Sequence, residues 1–153
     1  CRRILCLRSN SRMRMPANKR TDAYLDVVEQ AGLPALVREV EFVKPDDEKS
    51  AVVAKILDEN PDIDGIFAGD DTMAAICLNV MKQRGLSAPD DIKVVGADGA
   101  RRTMTFMPDL TTVRQDIDRI GELAAQSIIA LINGEKPESN IKLPVELIEG
   151  KTA

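Results

Sequence analysis

The run Val94-Val95-Gly96-Ala97-Asp98-Gly99 is followed, after a short loop, by Pro108-Asp109-Leu110-Thr111-Thr112-Val113. An apolar stretch ends in an acid, the chain loops, and a second strand-like stretch carries two threonines into Arg114-Gln115-Asp116. A carboxylate at the carboxyl end of a buried strand stands where open α/β sheets hold their ligands. Working upstream, residues 63–68 form another apolar stretch that closes on Gly69-Asp70-Asp71. Met73, Ile76, Cys77, Val80 and Met81 then recur at helical spacing, with Asp71 placed to cap the helix and Gly85 to end it.

The same alternation runs to both ends. Residues 4–7 read as a strand, 9–16 as a loop, and 19–31 as a helix carrying Ala23, Val27, Val28 and Ala31. Residues 36–43 read as a strand, Lys44-Pro45-Asp46-Asp47 as a turn, and 50–57 as a helix ended by Asn60-Pro61. Downstream of the strand at 110–113, Ile117, Ile120, Ala124, Ile128 and Leu131 form a long helical stripe closed by Asn133-Gly134. Residues 141–148 form a last extended segment. The order β-α-β-α-β-α-β, then β-α-β, predicts an α/β fold with a mostly parallel sheet and helices on both faces.

A length of 153 residues suits one domain with a real core. No apolar run approaches the ~20 residues that span a bilayer, so no membrane partner is expected. The chain opens with Cys1-Arg2-Arg3 and enters a strand at once, which reads as a piece of a longer protein. A net charge of −4 argues against nucleic-acid binding by this piece through bulk electrostatics. Yet the first twenty residues hold Arg2, Arg3, Arg8, Arg12, Arg14, Lys19 and Arg20 and no acid. That is either a solvated basic face or an anion-recognition surface. Cys1, Cys6 and Cys77 show no metal spacing and suit a reducing compartment. With no histidine, Ser-His-Asp and Cys-His catalysis are excluded.

Asp70, Asp71 and Asp98 all fall at carboxyl ends of predicted strands. Converging carboxylates can hold Mg²⁺ for phosphoryl transfer, or accept hydrogen bonds from adjacent hydroxyls of a polyol. The structural alternative is a helix cap at Asp71 and a solvated Asp70. Arg20 opens the first helix at the same sheet edge, where a guanidinium can donate in a fork to sugar hydroxyls or phosphate. No motif supplies the base or nucleophile that a metal enzyme needs.

Three motifs carry a family resemblance. Ile66-Phe67-Ala68-Gly69-Asp70-Asp71-Thr72-Met73-Ala74, Gly85-Leu86-Ser87-Ala88-Pro89-Asp90-Asp91-Ile92-Lys93-Val94-Val95-Gly96-Ala97-Asp98 and Pro108-Asp109-Leu110-Thr111-Thr112-Val113-Arg114-Gln115 resemble the effector-binding domain of the lactose/galactose repressor (LacI/GalR) family. The resemblance covers nearly the whole chain, and the Gly96-to-Arg102 wording most resembles sucrose-operon repressors. It implies a two-lobed, periplasmic-binding-protein-like (type 1) fold with a sugar in the cleft. Residues 1–114 and 139–153 would form the C-terminal lobe. Residues 115–138 would be a helix of the other lobe, which with the DNA-binding helix-turn-helix would lie upstream of this chain.

Residue by residue, the resemblance implies effector contacts at Arg20, Asp70, Asp98 and Gln115, an aromatic wall near Phe42, and a basic loop with Arg12 and Arg14 at the cleft edge. Ala23, Ala97 and Gly150 depart from the residues usual there. The family's dimer interface matches the helix 72–84 and the loop 101–107, implicating Ala75, Met104 and Phe106. The implied function is that of a cytoplasmic, homodimeric transcriptional repressor. It binds a sugar or sugar phosphate, reaches operator DNA through the upstream domain, and uses no cofactor, metal or catalysis. The alternatives are a periplasmic sugar receptor of a transporter and a Mg²⁺-dependent phosphotransfer enzyme.

Overall fold

The computed structural model describes residues 1–10 and 17–153. Its elements are β1 (Ile4–Asn10), α1 (Ala17–Gln30), β2 (Leu36–Glu41), α2 (Asp46–Glu59), β3 (Gly65–Ala68), α3 (Asp71–Gln83), β4 (Lys93–Asp98), α4 (Arg101–Phe106), β5 (Thr111–Gln115), α5 (Ile117–Ile132) and β6 (Val145–Ile148). They build one six-stranded sheet in the order β2-β1-β3-β4-β5-β6. Every neighbouring pair is parallel except β5 and β6. The chain leaves β1 toward one edge and β3 returns to its other side. That reversal puts a crevice at the carboxyl ends of β1 and β3.

The core lies mainly between the sheet and α2 and α3. Leu5, Leu7, Ile66 and Val94 of the strands meet Val53, Cys77, Val80 and Met81 of the helices, all buried. The Cys77 thiol is so enclosed that its pKa is pushed up to about 12, which leaves it protonated and unreactive. On the opposite face α1 contributes Tyr24 and Val28 against Cys6. Tyr24 ties two strands: its hydroxyl donates to the Ile4 carbonyl at 2.6 Å and accepts from the Leu36 N–H at 3.0 Å.

Several boundaries differ from the sequence expectation, each for a pairing or capping reason. β1 runs to Asn10 rather than residue 7, because its partner β2 stays in register from Leu36 to Glu41. α2 begins at Asp46, inside the expected turn; Pro45 stands before it and Asp46, Asp47 and Glu48 favour its amino end. Residues 101–106, expected as loop, form the short helix α4. Of the last extended segment only Val145–Ile148 pairs, antiparallel to β5. The tail beyond it wedges between β4 and β5. Thr152 Oγ1 accepts from the Thr111 N–H at 3.0 Å and donates to the Val94 carbonyl at 2.7 Å. The glycine at 150 is required there, since a Cβ would sit 2.2 Å from the Asp109 carbonyl oxygen.

α5 is different from the other long helices. Asp116 caps it through the Arg119 N–H at 2.9 Å, but none of its residues is buried. Ile128, Ile129, Leu131 and Ile132 are all more than half exposed.

Candidate ligand-binding site

The carboxyl edge of the sheet gathers residues from six elements around one cavity of about 570 Å³. Asp98, the last residue of β4, is its centre. Arg20 of α1 donates through Nη2 to Asp98 Oδ1 at 2.6 Å and through Nη1 to the Gly69 carbonyl at 2.6 Å. Gln115, the last residue of β5, donates through Nε2 to the same Oδ1 at 2.7 Å. A carboxylate has about four acceptor positions, so these two donors orient Asp98 without exhausting it. The Arg20 and Asp98 side chains keep 28% and 36% of their surface exposed, so the pair is oriented but open to a ligand.

Asp98 holds this position in an uncommon backbone conformation, φ 112°, and the next residue, Gly99, is at φ 60°. A side chain on Gly99 would collide with Arg114, its Cβ lying 2.6 Å from the Arg114 Cα. Asp98 and Gly99 thus turn the chain through the positive-φ region at the end of β4. Non-glycine residues in this region carry strain, and such strain concentrates at binding sites.

The helix cap expected of Asp71 falls to its neighbour, and Asp71 takes a role that was not expected. Asp70, not Asp71, caps α3: its Oδ1 accepts from the Met73 N–H at 2.8 Å, and its Oδ2 accepts from Ser9 Oγ at 3.3 Å. Asp71 is the first residue of α3 and is buried. Its Oδ1 accepts from Thr112 Oγ1 at 2.5 Å and its Oδ2 from the Ala100 N–H at 3.3 Å. Burial raises the pKa of this carboxyl, opposed by the bonds from Thr112, Ala100 and Gly99. Asp71 thus props the Asp98–Gly99–Ala100 turn from below. The sequence reading missed this role; the residues that could have signalled it are Gly96 and Thr112. A Cβ at Gly96 would lie 2.6 Å from Asp71 Oδ1, so the strand leaves room for a buried acid that Thr112 then satisfies.

Asp70, Asp71 and Asp98 therefore have separate partners rather than one shared focus. Among the described residues no cluster of three or more acids, cysteines or histidines is placed to hold a metal ion. Phe42 lines the cavity from just beyond β2, three strands across the sheet from the β4 that ends in Asp98, and is 52% exposed. Lys49 of α2, which sequence reasoning passed over, lines the same cavity with its ammonium 5.8 Å from the Phe42 ring centre. Arg12 and Arg14 lie outside the described residues. Away from the cavity, Ala75 on α3 and Met104 on α4 are half-buried, and Phe106 is exposed.

A parallel sheet with this strand order and a polar crevice at its carboxyl edge defines a class of small-molecule-binding lobes. The chain belongs to the family of periplasmic binding protein-like domains, which matches residues 1–153, and within it to the effector-binding domains of LacI/GalR regulators. It is 32% identical over 139 residues to the ribose operon repressor of Halalkalibacterium halodurans, covering 90% of this chain and 41% of that protein. To the sucrose operon repressor of Pediococcus pentosaceus it is 33% identical over 140 residues, covering 90% and 43%. The crystal structure of the transcription regulator GntR from Chromobacterium violaceum superposes with a TM-score of 0.87 at 26% identity, over 99% of this chain and 56% of that one. The chain thus spans less than half the length of these two curated relatives. Those relatives are transcriptional regulators, not enzymes. Among the described residues no helix is long and apolar enough to cross a membrane.

Proposed function

We propose that this chain is the C-terminal lobe of the sugar-binding domain of a cytoplasmic transcriptional repressor that controls carbohydrate-utilisation genes. The observation that carries the reading is the Arg20–Asp98–Gln115 hydrogen-bonded set, aimed into a cavity of monosaccharide-to-disaccharide scale. The repressor names of the relatives, ribose and sucrose, support the ligand class. Asp98 accepts from vicinal hydroxyls, Arg20 and Gln115 hold it in position and donate to ring oxygens, and Asp70 extends the acceptor row. No bond in the ligand is made or broken.

The mechanism is allosteric. A sugar held between this lobe and its partner lobe favours one lobe arrangement, and that preference biases the operator affinity of the attached DNA-binding domain. Residues 1–114 and 139–153 form this lobe; α5, within 115–138, packs its apolar stripe in the other. Dimerisation uses α3 around Ala75 and α4 with Met104 and Phe106.

Titration calorimetry of the full-length regulator against a panel of neutral sugars tests the site. Asp98→Asn loses a charge-assisted acceptor and weakens binding by about 2 kcal/mol, roughly 30-fold. An unchanged dissociation constant would remove Asp98 from the site.

A further inference from the structure

The cavity has two walls of different chemistry. The sheet-edge wall carries Arg20, Asp70, Asp98 and Gln115, and the β2–α2 wall carries Phe42 and Lys49. On the first wall the charge of Arg20 is paired with Asp98 at 2.6 Å, and its remaining N–H groups are left for hydroxyl recognition. On the second wall Lys49 makes a longer ion pair, at 3.3 Å. Its side chain is only 13% exposed, folded in beside Phe42, and its ion-pair partner among the described residues, Asp46, is itself 72% exposed. An ammonium has three N–H donors. One long contact to a solvated carboxylate leaves capacity for a ligand, and a largely desolvated cation attracts an anion more strongly than a surface one. The aromatic face beneath it holds the ammonium over the cavity instead of in bulk water.

From this geometry we propose that Lys49 reads an anionic substituent, a phosphate ester or a carboxylate, on the end of the sugar remote from Asp98. The inference rests on the sugar-binding reading and adds the ligand's charge to it. Asp98 and Arg20 grip hydroxyls at one end. Lys49 supplies a charge-assisted hydrogen bond at the other, displacing its contact with Asp46.

The test is calorimetry on the full-length regulator with D-glucose, D-glucose 6-phosphate, D-glucuronate, D-fructose, D-fructose 6-phosphate and inorganic phosphate. The expected result is that an anionic form of a sugar binds at least about tenfold more tightly than its neutral form. Lys49→Met collapses that ratio toward one, and Lys49→Arg retains it. The phosphate and glucuronate arms distinguish ester from carboxylate recognition. Thermal melts of both variants confirm that they fold, and the Arg variant keeps the test valid if the Met variant does not. Neutral sugars binding as tightly as their anionic forms overturns the proposal. So does a ratio that Lys49→Met leaves intact, or the failure of every anionic probe to bind at millimolar concentration. The sugar-binding reading fails separately: it falls if Asp98→Asn leaves neutral-sugar affinity unchanged, and it stands if only the anionic arm fails.

Discussion

α3 and α5 carry the same kind of apolar stripe and meet opposite fates. α3 buries Met73, Ala74, Ile76, Cys77, Val80 and Met81 against the sheet and α2. α5, three residues longer, buries none and leaves Ile128, Ile129, Leu131 and Ile132 in the open. Helical periodicity reports that a helix has an apolar side; it does not report whether the partner of that side lies in the same chain. The difference is that α3 belongs to the core of this chain, whereas the apolar stripe of α5 meets no core among the described residues. Large unpartnered apolar patches of this kind mark interaction sites.

Paired truncations break or sharpen that contrast most directly. In the 153-residue chain, Met81→Ala costs about 2–5 kcal/mol through lost burial and the cavity left behind. In the same chain Ile129→Ala stays within about 0.5 kcal/mol, as exposed substitutions do. In the full-length regulator Ile129→Ala rises into the range of the α3 variant, if the other lobe is where α5 packs. Urea unfolding of both variants in both lengths reads this. Equal small costs for Ile129→Ala in both lengths would leave α5 without a partner in the regulator.

A smaller effect is expected where α3 meets the turn that presents Asp98. Gly96→Ala places a Cβ 2.6 Å from Asp71 Oδ1 and 3.3 Å from Leu110 Cδ2. Overpacking at such a site costs about 1–3 kcal/mol. Because the displaced acid also holds the Ala100 N–H, sugar affinity falls together with stability. Calorimetry and melting of the same preparation separate this from a plain loss of packing, which would lower the melting temperature and leave affinity alone.

The parallel alternation was legible because buried strands and amphipathic helices leave period and length signatures. The placement of Asp70 and Asp98 at carboxyl ends of strands, with Arg20 at the same edge, was legible from the alternation of elements, whereas Gln115 came from the family resemblance alone. What was not legible depends on side-chain direction. Which of Asp70 and Asp71 caps α3 turns on where extended backbone stops, a one-residue matter that composition does not carry. Lys49 was hidden because a lysine between the expected turn at 44–47 and the expected helix at 50–57 reads as solvated until Phe42 and the cavity are seen beside it. α4 was hidden because six residues with one phenylalanine and one methionine give too short a window for periodicity.

The adjacent aspartates extend the comparison to single residues and give the smallest expected effect. Asp70, half-buried, accepts from the Met73 N–H at the amino end of α3, whereas Asp71 keeps its carboxyl inside. Burial raises the Asp71 pKa above the ordinary 3.8, with hydrogen bonds from Thr112, Ala100 and Gly99 pulling the other way. A raised folded pKa means the folded state takes up the proton more readily than the unfolded state. The associated stability is complete below the unfolded pKa and is lost as pH rises through the folded pKa. Asn does not titrate. The melting-temperature advantage of wild type over Asp71→Asn is therefore expected to be largest in acid and to shrink as pH rises from about 4 through the folded pKa, which melts at stepped pH would show. An advantage that grows with pH would mean that the three donors outweigh burial. Asp71 would then hold the Asp98 turn as a full carboxylate, and the contrast with Asp70 would reduce to position alone.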